Sequence, residues 1–288
     1  MVTSKPKSFT RTTFISPISY FSLQQFLTVL LSTPNIIFFS FSHSLHTMPL
    51  ALRPITTADT LSWTRIRAKA YLGPTHELIH SGPISEFSIL KVAEGRKREV
   101  GIPNHWQWKI VDTDLSPSSD DPPDNGGQTI AIAVWSRHKA NSTRAHTVAD
   151  PTSLPVEVLE TKKQEKPFIP PDIRLEVLDA LFTPLRKAQS EIMGGRPYFM
   201  LNSFATHPDH HRKGAGTMLL KWGLDKADKE GWVTYLDTTT LARPIYEKHG
   251  FTVVTAFEFD RRPWGGEGMD WHGCMIRQPR PLRFEWCG

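Results

Sequence analysis

Two cationic side chains and two glycines meet in Arg212-Lys213-Gly214-Ala215-Gly216, between an apolar run ending near Thr206 and an amphipathic run beginning near Lys213. Glycines at such a junction let the backbone approach a ligand closely and leave the first helical N–H groups without partners. Those N–H groups and the positive end of the helix dipole favour a bound anion, typically a phosphate. The chemistry this pattern predicts is the grip of a pyrophosphate, with Arg212 and Lys213 adding to the field. Neither GxGxxG nor GxxxxGK[ST] is present, because HRKGAGT has a different glycine spacing. The turn also follows several strands instead of the first, which disfavours the dinucleotide-binding and P-loop classes.

Other residues nearby invite chemistry and receive plainer readings. His207, His210 and His211 form a tight H-x-x-H-H in which only Asp209 could join as a further ligand. No metal is therefore expected, and the imidazoles are read as solvated or phosphate-facing. Trp106 and Trp108 share one face of a strand and are read as sheet packing. Asp237 is read as a strand-end cap for the helix that follows.

The elements that must position these residues follow from periodicity. Leu50 to Ile55 is a short strand, and Thr57-Ala58-Asp59 offers caps for a helix over Thr60 to Tyr71. A weaker helix is expected over Ile84 to Arg98. His105 to Thr113 and Gln128 to Arg137 read as two antiparallel strands, separated by the Pro-, Gly- and Asp-rich loop LSPSSDDPPDNGG. His138 to Asp172 is polar, Pro-punctuated and aperiodic, and reads as an inserted loop with a short helix near Val156 to Lys163. Arg174 to Met193 is an amphipathic helix stopped by Gly194-Gly195, with Pro184 predicting a kink or break. A strand from Tyr198, a helix over Lys213 to Lys229, a strand over Trp232 to Asp237 and a helix over Leu241 to His249 come next. Strands over Thr252 to Asp260 and Trp271 to Arg277 close the order. No internal repeat is visible.

Composition bounds the rest. A chain of 288 residues has ample length for a core, and its net charge of +5 suits an acidic ligand. No Lys/Arg block interleaved with aromatics supports nucleic-acid binding. Cys274 and Cys287 form neither a disulfide framework nor a zinc spacing, so a reducing, cytoplasmic setting is expected. Residues 1–47 contain no Asp or Glu and carry Lys5, Lys7 and Arg11. They read either as a targeting segment, a transit peptide (mitochondrial in that case) or a signal sequence, or as a disordered upstream extension with the true start at Met48. The apolar stretch Phe21 to Phe41 is broken by Gln24, Gln25, Ser32, Pro34 and Asn35, short of the roughly 20 apolar residues a spanning helix needs. No membrane insertion is expected.

The order of elements and two motifs resemble the GNAT superfamily of N-acetyltransferases. The first motif is Thr206-His207-Pro208 followed by His211-Arg212-Lys213-Gly214-Ala215-Gly216, where the family has Gln or Arg at the position of His211. The second is Ala242-Arg243-Pro244-Ile245-Tyr246-Glu247-Lys248-His249-Gly250-Phe251, similar to the family's A-x-x-x-Y-x-x-x-G-F. Thr239 stands where the family often has Asn. The phrase EIMGGRPYFMLNSFATHPDHHRKGAG is similar to filamentous-fungal members. The resemblance implies an α/β (α+β) fold whose central, mostly antiparallel sheet of six to seven strands is flanked by helices. It implies one domain over 48–280, with the insertion 138–172 inside it and a tail at 281–288.

The same resemblance implies acetyl-CoA as cosubstrate. Phe204, Ala205 and Thr206 would hold the pantetheine arm by strand-like hydrogen bonds, and His211, Arg212, Lys213, Gly214, Ala215, Gly216 and Thr217 the pyrophosphate. A deprotonated primary amine would attack the thioester in a ternary complex, with backbone amides polarising the carbonyl and Tyr246 protonating the departing thiolate. Glu86, Glu191 and Asp237 are carboxylates that placement allows as the base, and a water chain would serve equally. The acceptor is expected to be a small molecule, with a protein amine as the other option. The alternative is a degenerate family member that binds CoA without turnover.

Overall fold

The computed structural model describes residues 49–71, 73–139 and 168–281. The expectations for residues 1–47, for the helix near Val156 to Lys163 and for most of the tail lie outside the described residues. Seven strands form one sheet: β1 (Leu50–Pro54), β2 (His105–Asp112), β3 (Gln128–His138), β4 (Tyr198–Thr206), β5 (Val233–Thr239), β6 (Thr252–Asp260) and β7 (Met269–Arg277). Their spatial order is β1-β2-β3-β4-β5-β7-β6, and every neighbouring pair is antiparallel except β4 and β5. The expected sheet is present, with strand ends within a few residues of those read from periodicity.

Among the described residues six helices accompany it: α1 (Thr60–Ala70), α2 (Pro74–Ile79), α3 (Glu86–Arg96), α4 (Leu175–Met193), α5 (Ala215–Glu230) and α6 (Arg243–Lys248). Alternation along the central strands divides the core between two faces. Ala131 and Ala133 pack with Leu219, Leu220 and Leu224 of α5, and Tyr246 of α6 joins the same cluster. Ile132, Val134 and Ala205 pack with Trp63 and Ile66 of α1 on the opposite face. There α4 continues the layer, Leu185 and Met193 covering Tyr235 of β5 and Cys274 of β7. Trp106 and Trp108 stack against Trp222 of α5, ring centroids 5.9 and 4.8 Å apart, so their reading as packing residues holds.

One reading is corrected and one element is added. The helix α4 runs through Pro184 without a break, its hydrophobic stripe pressed on the sheet and its end closed by Gly194 at φ 54°. Burial of Val177, Leu178, Leu181 and Leu185 outweighs the lost backbone hydrogen bond. The helix α2 is additional. Its six residues are too few for a periodic signal, and it starts at Gly73-Pro74, where proline is suited to the first helical turn.

Candidate active site

The strands β4 and β5 are hydrogen-bonded only where Tyr198–Met200 faces Val233–Tyr235. Beyond that point β4 continues to Thr206 and β5 to Thr239 unpaired with each other, while β4 stays registered with β3 as far as Thr206. Asn202 has no register partner, a one-residue bulge that bends β4 where the two strands part. The result is a slot through the sheet that joins its two helical faces. It opens into a cleft of about 2060 Å³ lined from both faces.

The backbone of β4 has a fixed polarity at the slot. His207 N–H donates to the Ile130 carbonyl at 2.8 Å, so alternation turns Ala205 toward β3 and Phe204 and Thr206 toward the slot. The Phe204 amide meets the Tyr71 hydroxyl at 3.3 Å, and that hydroxyl donates to the Phe204 carbonyl at 3.4 Å. The Thr206 carbonyl accepts from His211 Nε2 at 3.2 Å. Of the three strand residues expected to hold a donor, two face the slot and Ala205 is buried against α1.

The turn before α5 is shaped as the glycine spacing predicted. Arg212 takes φ 65° and Gly214 φ 86°, and Gly214 is an N-cap without a side-chain hydrogen bond. The first N–H groups of α5 therefore have no intrahelical partner, and no acidic residue occupies the first turn. His211, Arg212, Gly214, Ala215, Gly216 and Thr217 line the cleft. Lys213 does not line it: its Nζ lies 2.8 Å from Oδ2 of the buried Asp112, pinning the turn to β2.

Tyr246 lines the cleft from α6 and is 6 % exposed, its ring between Phe204 and Phe251 at centroid distances of 6.2 and 5.8 Å. Burial, with the nearby Tyr71, pushes its phenol well above the ordinary value, so it remains a proton donor across the neutral range. It belongs to the α5 face.

Asp237 looks to the other face. It lies inside β5 and is not a helix cap: Oδ1 accepts from the Tyr235 hydroxyl at 2.6 Å. Burial pushes its carboxyl up to about 6, against the lowering effect of hydrogen bonds from Tyr235 and Cys274. It lines the cleft. Glu86 is engaged by Arg65 at 2.6 Å and Glu191 lies 3.9 Å from Lys187 on the surface; neither reaches the cleft. Among the described residues no group of three or more His, Cys, Asp or Glu is arranged to hold a metal ion.

The cleft wall formed by the end of α1, by α2 and by the residues after it holds side chains that sequence reading passed over. Tyr71 ends α1, His76 lies in α2, and His80 follows it. Burial, helped by Arg67 and His80, pushes the His76 imidazole down to about 3. His80 Nδ1 is 2.9 Å from Asp172 Oδ2, and Asp172 Oδ1 accepts from Ser88 Oγ at 2.6 Å. Burial raises the Asp172 carboxyl, but these hydrogen bonds outweigh it and leave it below the ordinary range. Because α2 is so short, no periodic pattern marked these side chains; only the density of histidines in THELIH was visible.

Comparison with known proteins agrees with this geometry. Residues 186–253 match the model of the acetyltransferase (GNAT) domain, a span from the end of α4 through the turn, α5, β5 and Tyr246. The structure is similar to an agmatine N-acetyltransferase in its apo form, at 9 % identity and TM-score 0.50 over 80 % of this chain and 99 % of that one. It is also similar to a Drosophila melanogaster polyamine N-acetyltransferase, at 9 % identity, 80 % and 99 % coverage and TM-score 0.49. A Corynebacterium glutamicum protein described as histone acetyltransferase HPA2 and related acetyltransferase matches at 17 % identity, 82 % and 100 % coverage and TM-score 0.46. The segment that matches the acetyltransferase (GNAT) domain model is thus the one that holds β4 where it parts from β5, the uncapped N-terminus of α5 and Tyr246.

Proposed function

We propose that the protein transfers an acetyl group from acetyl-CoA to a primary amine, both substrates being bound together, and that the amine belongs to a small molecule. The observation that carries this reading is the slot between β4 and β5. It connects a face with an anion-seeking helix terminus and Tyr246 to a face with Asp237 and a histidine-bearing wall.

The residues fit the donor. Uncapped N–H groups of Ala215, Gly216 and Thr217 and the Arg212 side chain would meet the pyrophosphate, and the slot-facing groups of Phe204 and Thr206 the pantetheine arm. Acetyl-CoA, when bound, supplies an activated thioester carbonyl. Tyr246 gives a proton to the sulfur side of the slot, and its raised phenol value keeps that proton available. Asp237 holds the acceptor's ammonium on the other face; with a carboxyl near 6 it is ionised at neutral pH. Most of the rate gain comes from holding both reactants in register across the slot. Ile79, Leu181, Phe182 and Trp271 are among the apolar residues that line the cleft, which supports a small-molecule acceptor. The two-cysteine composition suits a reducing, cytoplasmic setting.

Calorimetric titration of acetyl-CoA and dephospho-acetyl-CoA into the chain starting at Met48, beside Gly214→Glu, tests the reading. Micromolar binding that the variant loses supports it, since Gly214 at φ 86° admits no side chain without strain. Absence of binding by well-folded wild type removes it. Binding without thiol release across a broad amine panel favours instead a CoA-binding module without turnover.

A further inference from the structure

We propose that His76 and His80, backed by Asp172, form the path by which the acceptor's ammonium proton leaves the cleft; this rests on the amine-acetylating reading above. Titratable groups line up from the slot outward. The Tyr71 hydroxyl touches the Phe204 backbone, the Tyr71 ring lies 5.5 Å from that of His76, and His76 lies 6.0 Å from His80. His80 Nδ1 then meets Asp172 at 2.9 Å. Tyr71, His76 and His80 all line the cleft. Between these rings the proton would pass by way of one water or of the acceptor nitrogen itself.

Each member has a distinct task. An ionised Asp172 can only accept, so His80 must carry its proton on Nδ1 and present a bare Nε2. Among the described residues the hydrogen bond of His80 is the one from Nδ1 to Asp172. Ser88, itself contacted by Ser85 Oγ at 2.9 Å, fixes the second carboxylate oxygen. His76 stays uncharged and therefore passes a proton on, taking it at one nitrogen while releasing it at the other. The groups facing the pair are Arg67 and Tyr71 from α1, Ser88 from α3 and Asp172 ahead of α4, while Asp270 of β7 contacts Thr75 on the far side of α2.

A purely structural role does not need these imidazoles. The segment is already tied down by backbone: Arg174 N–H to the Ile79 carbonyl and Ser81 N–H to the Asp172 carbonyl, both at 2.8 Å. A bridge between His80 and Ile173 adds to this.

The step balances. An ammonium N–H bond breaks and its proton passes through His76 to His80 Nε2 and on to solvent. The freed lone pair forms the C–N bond as the thioester C–S bond breaks, and the amine's second proton ends on sulfur by way of Tyr246.

The test follows thiol release from about pH 6 to about pH 10 in wild type, His80→Gln, Asp172→Asn and Asp237→Asn. Acceptors are the fastest of n-butylamine, phenethylamine and spermidine, which are ammonium ions at neutral pH, and hydroxylamine, which is uncharged there. His80→Gln is expected to lose about 100-fold in kcat/KM with the alkylamine at neutral pH, to recover at high pH, and to leave hydroxylamine nearly unaffected. Asp172→Asn should follow it. Equal losses on both acceptor types overturn the proposal, as does an acidic limb that moves with Asp237→Asn and not with His80→Gln. Should wild type acetylate none of these amines, the acetyltransferase reading fails, and histidine tautomers read by 15N NMR judge the pair separately. The expected form of His80 is Nδ1–H in wild type, lost in Asp172→Asn; an Nε2–H form in wild type overturns the assignment.

Discussion

The hydroxyl of Tyr71 lies 3.3 Å from the amide nitrogen of Phe204 and 3.4 Å from its carbonyl oxygen, and so occupies both polar backbone groups of Phe204, which β4 turns into the slot. A buried amide left without a partner is costly, so the parted strand borrows one from α1. A donor arm that takes these groups must displace Tyr71. Tyr71→Phe is therefore expected to lower the stability of the free protein by about 1 kcal/mol and to tighten acetyl-CoA binding by up to about 5-fold. Paired thermal melts and calorimetry check it, and weaker binding would mean that the hydroxyl contacts the donor directly.

Tyr246→Phe keeps the ring between Phe204 and Phe251 and removes only the proton donor. Turnover should fall about 100-fold or more while acetyl-CoA affinity stays within a factor of about two. Because burial raises the phenol, wild type should show no loss of rate from Tyr246 ionisation below about pH 10.

Asp237 gives a pH dependence whose sign is fixed. Its folded-state carboxyl, about 6, lies above the ordinary value of 3.8, so the native state binds the proton more tightly and loses stability as pH rises through that window. Asp237→Asn keeps an acceptor for Tyr235 and removes the buried charge. Denaturant unfolding should show it about 1–3 kcal/mol more stable than wild type near pH 7.5, with the gap closing near pH 4.

Arg212 separates backbone from side chain. At φ 65° it stands in a region that costs a non-glycine residue about 1 kcal/mol. Arg212→Gly should stabilise the free protein by that order and still weaken acetyl-CoA binding, measured by calorimetry, through loss of the guanidinium charge.

Gly223 sets how closely α5 approaches the sheet. A Cβ there would lie 2.2 Å from Cε2 of the fully buried Trp135. Gly223→Ala should destabilise by about 2–3 kcal/mol in chemical denaturation, since neither the indole nor the helix can yield. Gly214→Ala has open space around it and meets only the φ penalty, so the two glycines should respond differently.

The amino-acid order carried those features that depend on neighbours along the chain. The αL turn at Arg212 and Gly214, the stripe of α4 and the alternation of β2 and β3 arise from backbone sterics and periodic burial, and both can be read from spacing. The glycine turn before α5 and the place of Tyr246 on α6 were visible for that reason. Folding in three dimensions assigned the partners. Lys213 and Arg212 are adjacent in sequence, yet Asp112, far away along the chain, draws one into an ion pair and leaves the other on the cleft. Asp237 reads locally as a cap and becomes a cleft carboxylate because β5 continues two residues past it and burial replaces water around it. His80 acquires its meaning only from Asp172, which the chain brings back across an intervening sheet and insertion. Charge and proton affinity depend on what surrounds a group in space, and spacing along one strand or helix does not contain that information.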